Sequence, residues 1–299
     1  MKNLAVKFGL LALAVLLLSS CVDPIDINSP LNGATINDDH VLVTGTIQAP
    51  AHSGITANGI VGTIDGKQAE KKRFWVDVPL VPGENKIIVT GTTPQGESYS
   101  KTVTVNRQGT PPISVKASKL QGLAPLNVSF IVTGNTGNPI QHISADFNGD
   151  GIVDYDSSDP SAAIAFTYTT PGIYRAKFTV IDTQASYTQT LTIVARDLAE
   201  METMFQEMWS GMNDALTRRD KAAAMRYLNQ TAQAKYGPVF DALMPDMRKI
   251  VRTYSPLTRM DITDTIGEYV IHRNDAGKDR IYFIYFLLDG DGVWRIDSM

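Results

Sequence analysis

The chain has 299 residues, with 27 Lys and Arg against 31 Asp and Glu, for a formal net charge of −4. Acids and bases are mixed and no Arg-rich run occurs, so the electrostatic footprint of a nucleic-acid binder is absent and no nucleic acid partner is expected. An apolar content of 43% and one cysteine exclude both a disordered tether and a disulfide scaffold.

At the N-terminus, Lys2 and Lys7 precede an apolar run from Leu10 to Leu18, followed by Ser19, Ser20 and Cys21. A run of about ten residues is too short to cross a bilayer core as a helix, and it reads as an export signal over residues 1–20. The segment Leu18-Ser19-Ser20-Cys21 resembles the lipobox of bacterial lipoproteins. That resemblance implies that the Cys21 thiol receives a diacylglycerol, that the bond before it is cut, and that a lipid anchor attaches the protein to the membrane. Two or three acyl chains hold a protein stably without a transmembrane helix. With Val22, not aspartate, following the cysteine, the resemblance further implies the outer membrane, facing the periplasm. A lone cysteine is ordinarily a small buried hydrophobe; this one stands where an export signal ends.

Residues 21–30 read as a tether. From 31 to 107 the sequence alternates as half-buried strands do: Val41–Ile47, Phe74–Leu80, Asn85–Thr93 and Ser98–Val105, with turns at Pro82–Asn85 and Pro94–Gly96. About seven short strands predict a β-sandwich. The phrases VLVTGTI, VPLVPGENKIIVTGTTPQG and KTVTVNR resemble bacterial Ig-like modules of cell-surface proteins. Arg107 to Pro112, ending in two prolines, predicts an extended linker.

A second sandwich is expected over 113–195. The positions Phe166, Tyr168, Pro171-Gly172, Tyr174, Val180 and Asp182, and the opening Gly122-Leu123-Ala124-Pro125-Leu126-Asn127-Val128-Ser129-Phe130, resemble a PKD domain, itself an Ig-like module.

At Arg196 the period changes. Asp197 can cap a helix, and Leu198, Met201, Phe205, Met208 and Met212 fall at three- or four-residue spacing, predicting a helix to Thr217. Helices over 220–228 and 231–254, the latter interrupted near Pro245, precede strands over 257–263, 266–273, 280–288 and 292–296. The Asp289-Gly290-Asp291-Gly292 run makes the last hairpin turn. Helices followed by a curled antiparallel sheet ending in Val-Trp-Arg-Ile-Asp resemble the NTF2-like cone. The expected architecture is therefore mainly β: two Ig-like sandwiches in tandem, then an α+β domain over 197–299. In the strand Arg280–Leu288 both faces are apolar, so a second layer or a partner must cover each.

The strongest site signal is Asp146-Phe147-Asn148-Gly149-Asp150-Gly151-Ile152-Val153-Asp154. Asp146, Asn148, Asp150 and Asp154 place oxygen ligands at the first, third, fifth and ninth positions. Gly151 permits the turn and Ile152 offers its carbonyl, as in the front half of an EF-hand loop for Ca²⁺. The twelfth position is Ser157, where a bidentate acid is expected, and strands flank the loop. Asp156 or Asp159 could complete the shell. The alternative is a tight turn in which Asp146 and Asp150 bond backbone amides, as in the Trp-Asp-Phe-Gly-Asp-Gly phrase of PKD modules, with Ala145 in place of tryptophan.

For catalysis, His40, His52, His142 and His272 lie in separate segments without paired spacing, and no nucleophile elbow or phosphate loop occurs. Tyr236, Tyr269, Tyr282, Tyr285 and Asp297 could line a pocket in the cone, although such aromatic residues usually fill the core. These features point to a non-catalytic envelope lipoprotein whose sandwiches act as a spacer presenting the C-terminal domain to a protein, glycan or small ligand. The alternatives are an enzyme or enzyme accessory acting on a cell-envelope or extracellular polymer, and an adhesive role with calcium stiffening a sandwich.

Overall fold

A computed structural model describes residues 24–65, 71–275 and 277–299. The expected signal segment 1–20 and Cys21 lie outside the described residues. Among those described, no helix is long and apolar enough to cross a membrane.

The first unit contains β1 Ile25–Ser29, β2 Ala34–Ile36, β3 His40–Ile47, β4 Gly54–Ala57, β5 Ile60–Val61, β6 Thr63–Asp65, β7 Lys72–Pro79, β8 Gly83–Thr92 and β9 Ser98–Arg107. One sheet has the order β1-β3-β7-β6 and the other β2-β9-β8-β4-β5, with β2 parallel to β9. This is the strand arrangement of an Ig-like sandwich. Alternation builds its core. Along β3, Val41, Val43 and Ile47 point inward and meet Phe74, Val76, Ile87 and Val105. Gly45 holds the fourth inward position because a Cβ there would lie 2.6 Å from the Phe74 ring. The tether expected over 21–30 is shorter than predicted: Ile25 is fully buried and Ile25–Ser29 pairs with β3, so the sandwich already begins there.

The second unit contains β10 Ile113–Ala117, β11 Gln121–Leu123, β12 Leu126–Gly134, β13 Ile140–Asp146, β14 Tyr155–Ser157, β15 Ile164–Tyr168, β16 Gly172–Asp182 and β17 Ser186–Arg196. Its sheets, β10-β12-β15 and β11-β17-β16-β13-β14, repeat the first unit's order with one strand fewer, again with a parallel pair, β11 and β17. Phe130, Phe147, Phe166 and Phe178 stack at its centre with centroids 4.8–5.9 Å apart.

The third unit opens with α1 Leu198–Thr217, α2 Lys221–Met225, α3 Gln230–Leu243 and α4 Met247–Val251, followed by an antiparallel meander, β18 Thr258–Ile262, β19 Ile266–Asp275, β20 Lys278–Leu288 and β21 Trp294–Ser298. Asp197 caps α1 as expected, accepting the Ala199 amide at 2.8 Å. The stripe Met201, Phe205, Met208 and Met212 is buried against the sheet. Pro245 separates α3 from α4, where the sequence places the interruption. One face of β20 packs Ile284 and Phe286 into this core, while Ile281 and Phe283 on the other are 57% and 47% exposed.

Each unit touches the other two. Asp39 of the first accepts Ser114 Oγ at 3.0 Å and Gln189 Nε2 at 3.2 Å from the second. The linker before Ile113 is pinned, since Asn135 bonds the carbonyls of both Pro111 and Pro112. Leu123 of the second unit packs against the C-terminal core. The chain then returns to its beginning. Gly54 lies against the Asp291-Gly292 backbone, and His52 Nε2 stands 3.1 Å from Glu207 Oε2. The C-terminal unit therefore docks on the first sandwich, where a tandem spacer would hold it at the far end.

Candidate functional site

The loop 146–154 joins β13 to β14 on the second sandwich. Asp146 Oδ1 accepts the Gly149 amide at 2.7 Å and Oδ2 the Gly151 amide at 2.8 Å. Asn148 Oδ1 accepts the Asp150 amide, and its Nδ2 donates to Asp150 Oδ2. Asp150 Oδ1 accepts the Ile152 amide at 2.8 Å, and Asp154 Oδ2 the Phe147 amide at 2.7 Å. The two glycines are needed for their backbone, with φ of +78° at Gly149 and +88° at Gly151. Each of these four side chains thus holds at least one backbone amide of its own loop, the geometry of a self-capped turn.

The electrostatic surroundings point the same way. Lys177 is the cross-strand partner of Asp146, and Arg175 and Lys177 border the same 460 Å³ depression as Asp146, Gly149 and Gly151. Two cations beside the acids work against a divalent ion. The further acids are engaged elsewhere: Asp156 pairs with His142 Nε2 at 3.3 Å, and Asp159 accepts both the amide and the hydroxyl of Ser161. Those Ser161 bonds hold the Asp159 carboxyl below its usual range. Among the described residues no three His, Cys, Asp or Glu side chains gather in a metal-binding group. The observed hydrogen bonds are those of a self-capped turn.

The interior of the C-terminal unit is filled. Phe205, Tyr269, Phe286 and Trp294 interlock with centroids 4.6–5.7 Å apart. The Tyr269 hydroxyl is buried without a hydrogen-bond partner. Burial, and secondarily the nearby Glu202 carboxylate, pushes its pKa up to about 12 against the opposing pull of Arg259. A phenol of this kind stays protonated and serves neither as base nor nucleophile near neutral pH. Tyr236 is buried and exchanges hydrogen bonds with the backbone of Met299. Tyr285 donates to Glu268 at 3.1 Å on the outer face, and Asp297 accepts from Asn229 at 2.8 Å. The residues named for a cone pocket are thus divided between core, outer face and a cap.

A cleft of about 660 Å³ opens between the first sandwich and the C-terminal unit. Loop 94–96 forms one wall; Arg226, Gln230, Gln233, Asp291 and Arg295 stand among the residues of the other. Arg295 is bound by Asp289 at 2.6 Å and Asp291 at 2.9 Å. Burial alone would lower the guanidinium's pKa, but the two carboxylates raise it. The sequence showed Asp289 and Asp291 only as turn residues; the signal available was a basic residue four positions after Asp291. The histidines occupy four places: His40 on Asp39, His52 on Glu207, His142 on Asp156, and His272 on the outer sheet face.

Residues 24–108 match the family described as Glucodextranase, domain B. No curated protein matches the chain. Among solved structures, the chain is 13% identical to the Clostridium thermocellum CbhA fibronectin(III)-like modules, over 58% of this chain and 95% of that one, with a TM-score of 0.23. Dimeric latent PorU from Porphyromonas gingivalis is 11% identical over 57% of this chain, which spans 20% of that one, with a TM-score of 0.29. The amphioxus IgVJ-C2 molecule is 11% identical, over 54% of this chain and 99% of that one, with a TM-score of 0.24.

Proposed function

We propose that this chain is a non-catalytic cell-envelope lipoprotein, anchored through lipid on Cys21 at the outer membrane and facing the periplasm. In this reading the Ig-like unit, a PKD-like unit over 113–195 and an NTF2-like unit over 197–299 form one binding body for a protein or glycan of the envelope. The observation that carries it is the packed C-terminal core, in which Phe205, Tyr269, Phe286 and Trp294 interlock.

The anchor has a geometric consequence. Val22, Asp23 and Pro24 separate Cys21 from β1, a reach of about 14 Å when extended. The first sandwich then rests close to the bilayer, and the C-terminal unit docked on it is held near the same surface. Labelling cells with a radioactive fatty acid tests the anchor. Label and membrane fractionation are expected for the native chain and lost in Cys21→Ala; a Cys21→Ala chain that stays labelled and membrane-bound overturns it.

A second reading, accessory to an enzyme acting on an envelope or extracellular polymer, is favoured by the match of 24–108 to a module of a glucodextranase. Co-sedimentation of the full chain with insoluble glucans supports it if the chain pellets and opposes it if the chain stays in solution. For the loop 146–154 we favour the hydrogen-bonded clasp over the Ca²⁺ site that its oxygen residues would otherwise suit.

A further inference from the structure

The helical side of the C-terminal unit is basic. Residues 214–252 hold eight Lys and Arg against four Asp, a net +4 in a chain whose total is −4. The charges gather where α1 ends and α4 begins. Arg219 donates to the Pro245 carbonyl at 3.3 Å, which sets the end of α1 beside the α3–α4 turn. Along α4, Met247 is buried and Ile250 and Val251 pack on the core, so Arg248, Lys249 and Arg252 fill the outward face. Asp246 binds Lys249 at 3.3 Å; among the described residues Arg218, Arg248 and Arg252 meet no carboxylate. The turn inside this rim is apolar: Ala242 and Pro245 are exposed, Leu243 is 41% exposed and Met244 is half-buried.

We propose that this turn is a membrane-contacting tip whose partner is a bilayer of anionic phospholipid. Leu243 enters the boundary between headgroups and acyl chains, and the guanidinium groups around it bind lipid phosphates. An apolar centre within a basic rim suits that boundary, where apolar burial and charge attraction act together. Arginine pairs with phosphate through two parallel hydrogen bonds, and three of the rim's arginines have no acid to release first. The inference deepens the anchored reading above, from which it takes its bilayer. The tether leaves from the end of the first sandwich on which the C-terminal unit rests. There the Pro24 carbonyl accepts the Gln48 amide at 2.8 Å, and the same loop carries His52 to Glu207 on α1. From Glu207 the helix runs about 17 Å to Arg218. The tip therefore stands a short helix's length from the contact at the anchored end.

Vesicle flotation of the chain from Val22 onward, which keeps every described residue and lacks Cys21, tests the tip apart from the anchor. At about 0.1 M salt it is expected to float with vesicles of phosphatidylethanolamine and phosphatidylglycerol and to stay behind with phosphatidylcholine alone. Each basic side chain at such a surface contributes about fivefold in affinity, so Arg248→Gln with Arg252→Gln should lower binding about twentyfold. Leu243→Ser should lower it about fivefold. Lys177→Gln, on the second sandwich, should leave it unchanged. All four positions are exposed, so the fold is kept. Failure here leaves the fatty-acid labelling of Cys21 untouched, and loss of that label leaves flotation untouched, so the two readings fail separately. A chain that ignores the anionic vesicles, an arginine double variant or a Leu243→Ser chain that floats like the native one, or an equal loss in Lys177→Gln overturns the proposal.

Discussion

Gly54 and Gly292 meet backbone to backbone: a side-chain carbon on Gly54 would lie 2.4 Å from the Gly292 carbonyl carbon and from the Asp291 carbonyl oxygen. Gly54 cannot accept even a methyl group there, because the obstructing atoms are main chain, and Gly292 has a φ of +79° that favours glycine. The two glycines therefore let the first sandwich and the C-terminal unit close on each other, and the cleft beside Arg295 exists because they do.

Gly54→Val should drive these two units apart. Overpacking at a rigid contact costs about 1–3 kcal/mol, and here the cost falls on the interface, not on either core. The expected result is faster proteolysis around residues 50–54 and 289–292, with little change in the melting of the sandwiches. Limited proteolysis with mass mapping reads it.

The C-terminal core depends on Phe205, which is fully buried against Tyr269, Phe286 and Trp294. Phe205→Ala should destabilise this unit by about 3–5 kcal/mol through lost burial and the cavity left behind. Near-ultraviolet circular dichroism during urea unfolding should show this unit melting first.

In the loop 146–154, Asp146→Ala removes the acceptor for two amides and should cost about 1–3 kcal/mol. A clasp made of protein hydrogen bonds is indifferent to metal. The melting temperature of the native chain should be the same in millimolar Ca²⁺ and in chelator, whereas a bound ion present at a hundred times its dissociation constant would add about 2.7 kcal/mol. Calorimetry distinguishes the two.

Asp182 offers a pH test. The amides of Gln184 and Ala185, followed in effect by bonds from Thr136 and Asn138, lower its pKa to about 2 against the opposing effect of burial. A carboxyl depressed on folding stabilises the protein above its unfolded pKa of about 4 and loses that contribution as pH falls toward the folded value. The native chain should therefore lose stability between about pH 4 and pH 2 more steeply than Asp182→Asn. Melting curves across that window check it.

Much of the fold was legible because burial imposes a period. The alternation of Val41, Val43 and Ile47 marked β3, and the spacing of Met201, Phe205, Met208 and Met212 marked α1 with its end at Thr217. The short strands β4 to β6 escaped notice, since two to four residues are too few to show an alternation. Ile25–Ser29 read as a tether because its inward residues are few and their partners, on β3, are distant in the chain. The residue types of the loop 146–154 suit a cation and a self-capped turn alike. Only the direction of each oxygen separates the two readings. The contacts between units left no local trace: Gly54 looks like any turn glycine until Gly292 is placed against it, and His52 gives no hint of Glu207.

The closed arrangement is tested most directly by cross-linking. In a Cys21→Ser background, cysteines replacing His52 and Glu207, whose side chains now stand 3.1 Å apart, should be joined within one chain by a short bis-maleimide. The yield should be near complete at high dilution and fall sharply when Gly54→Val is added. A pair that stays unlinked in the otherwise native chain would mean that the C-terminal unit does not rest on the first sandwich, and would contradict this account.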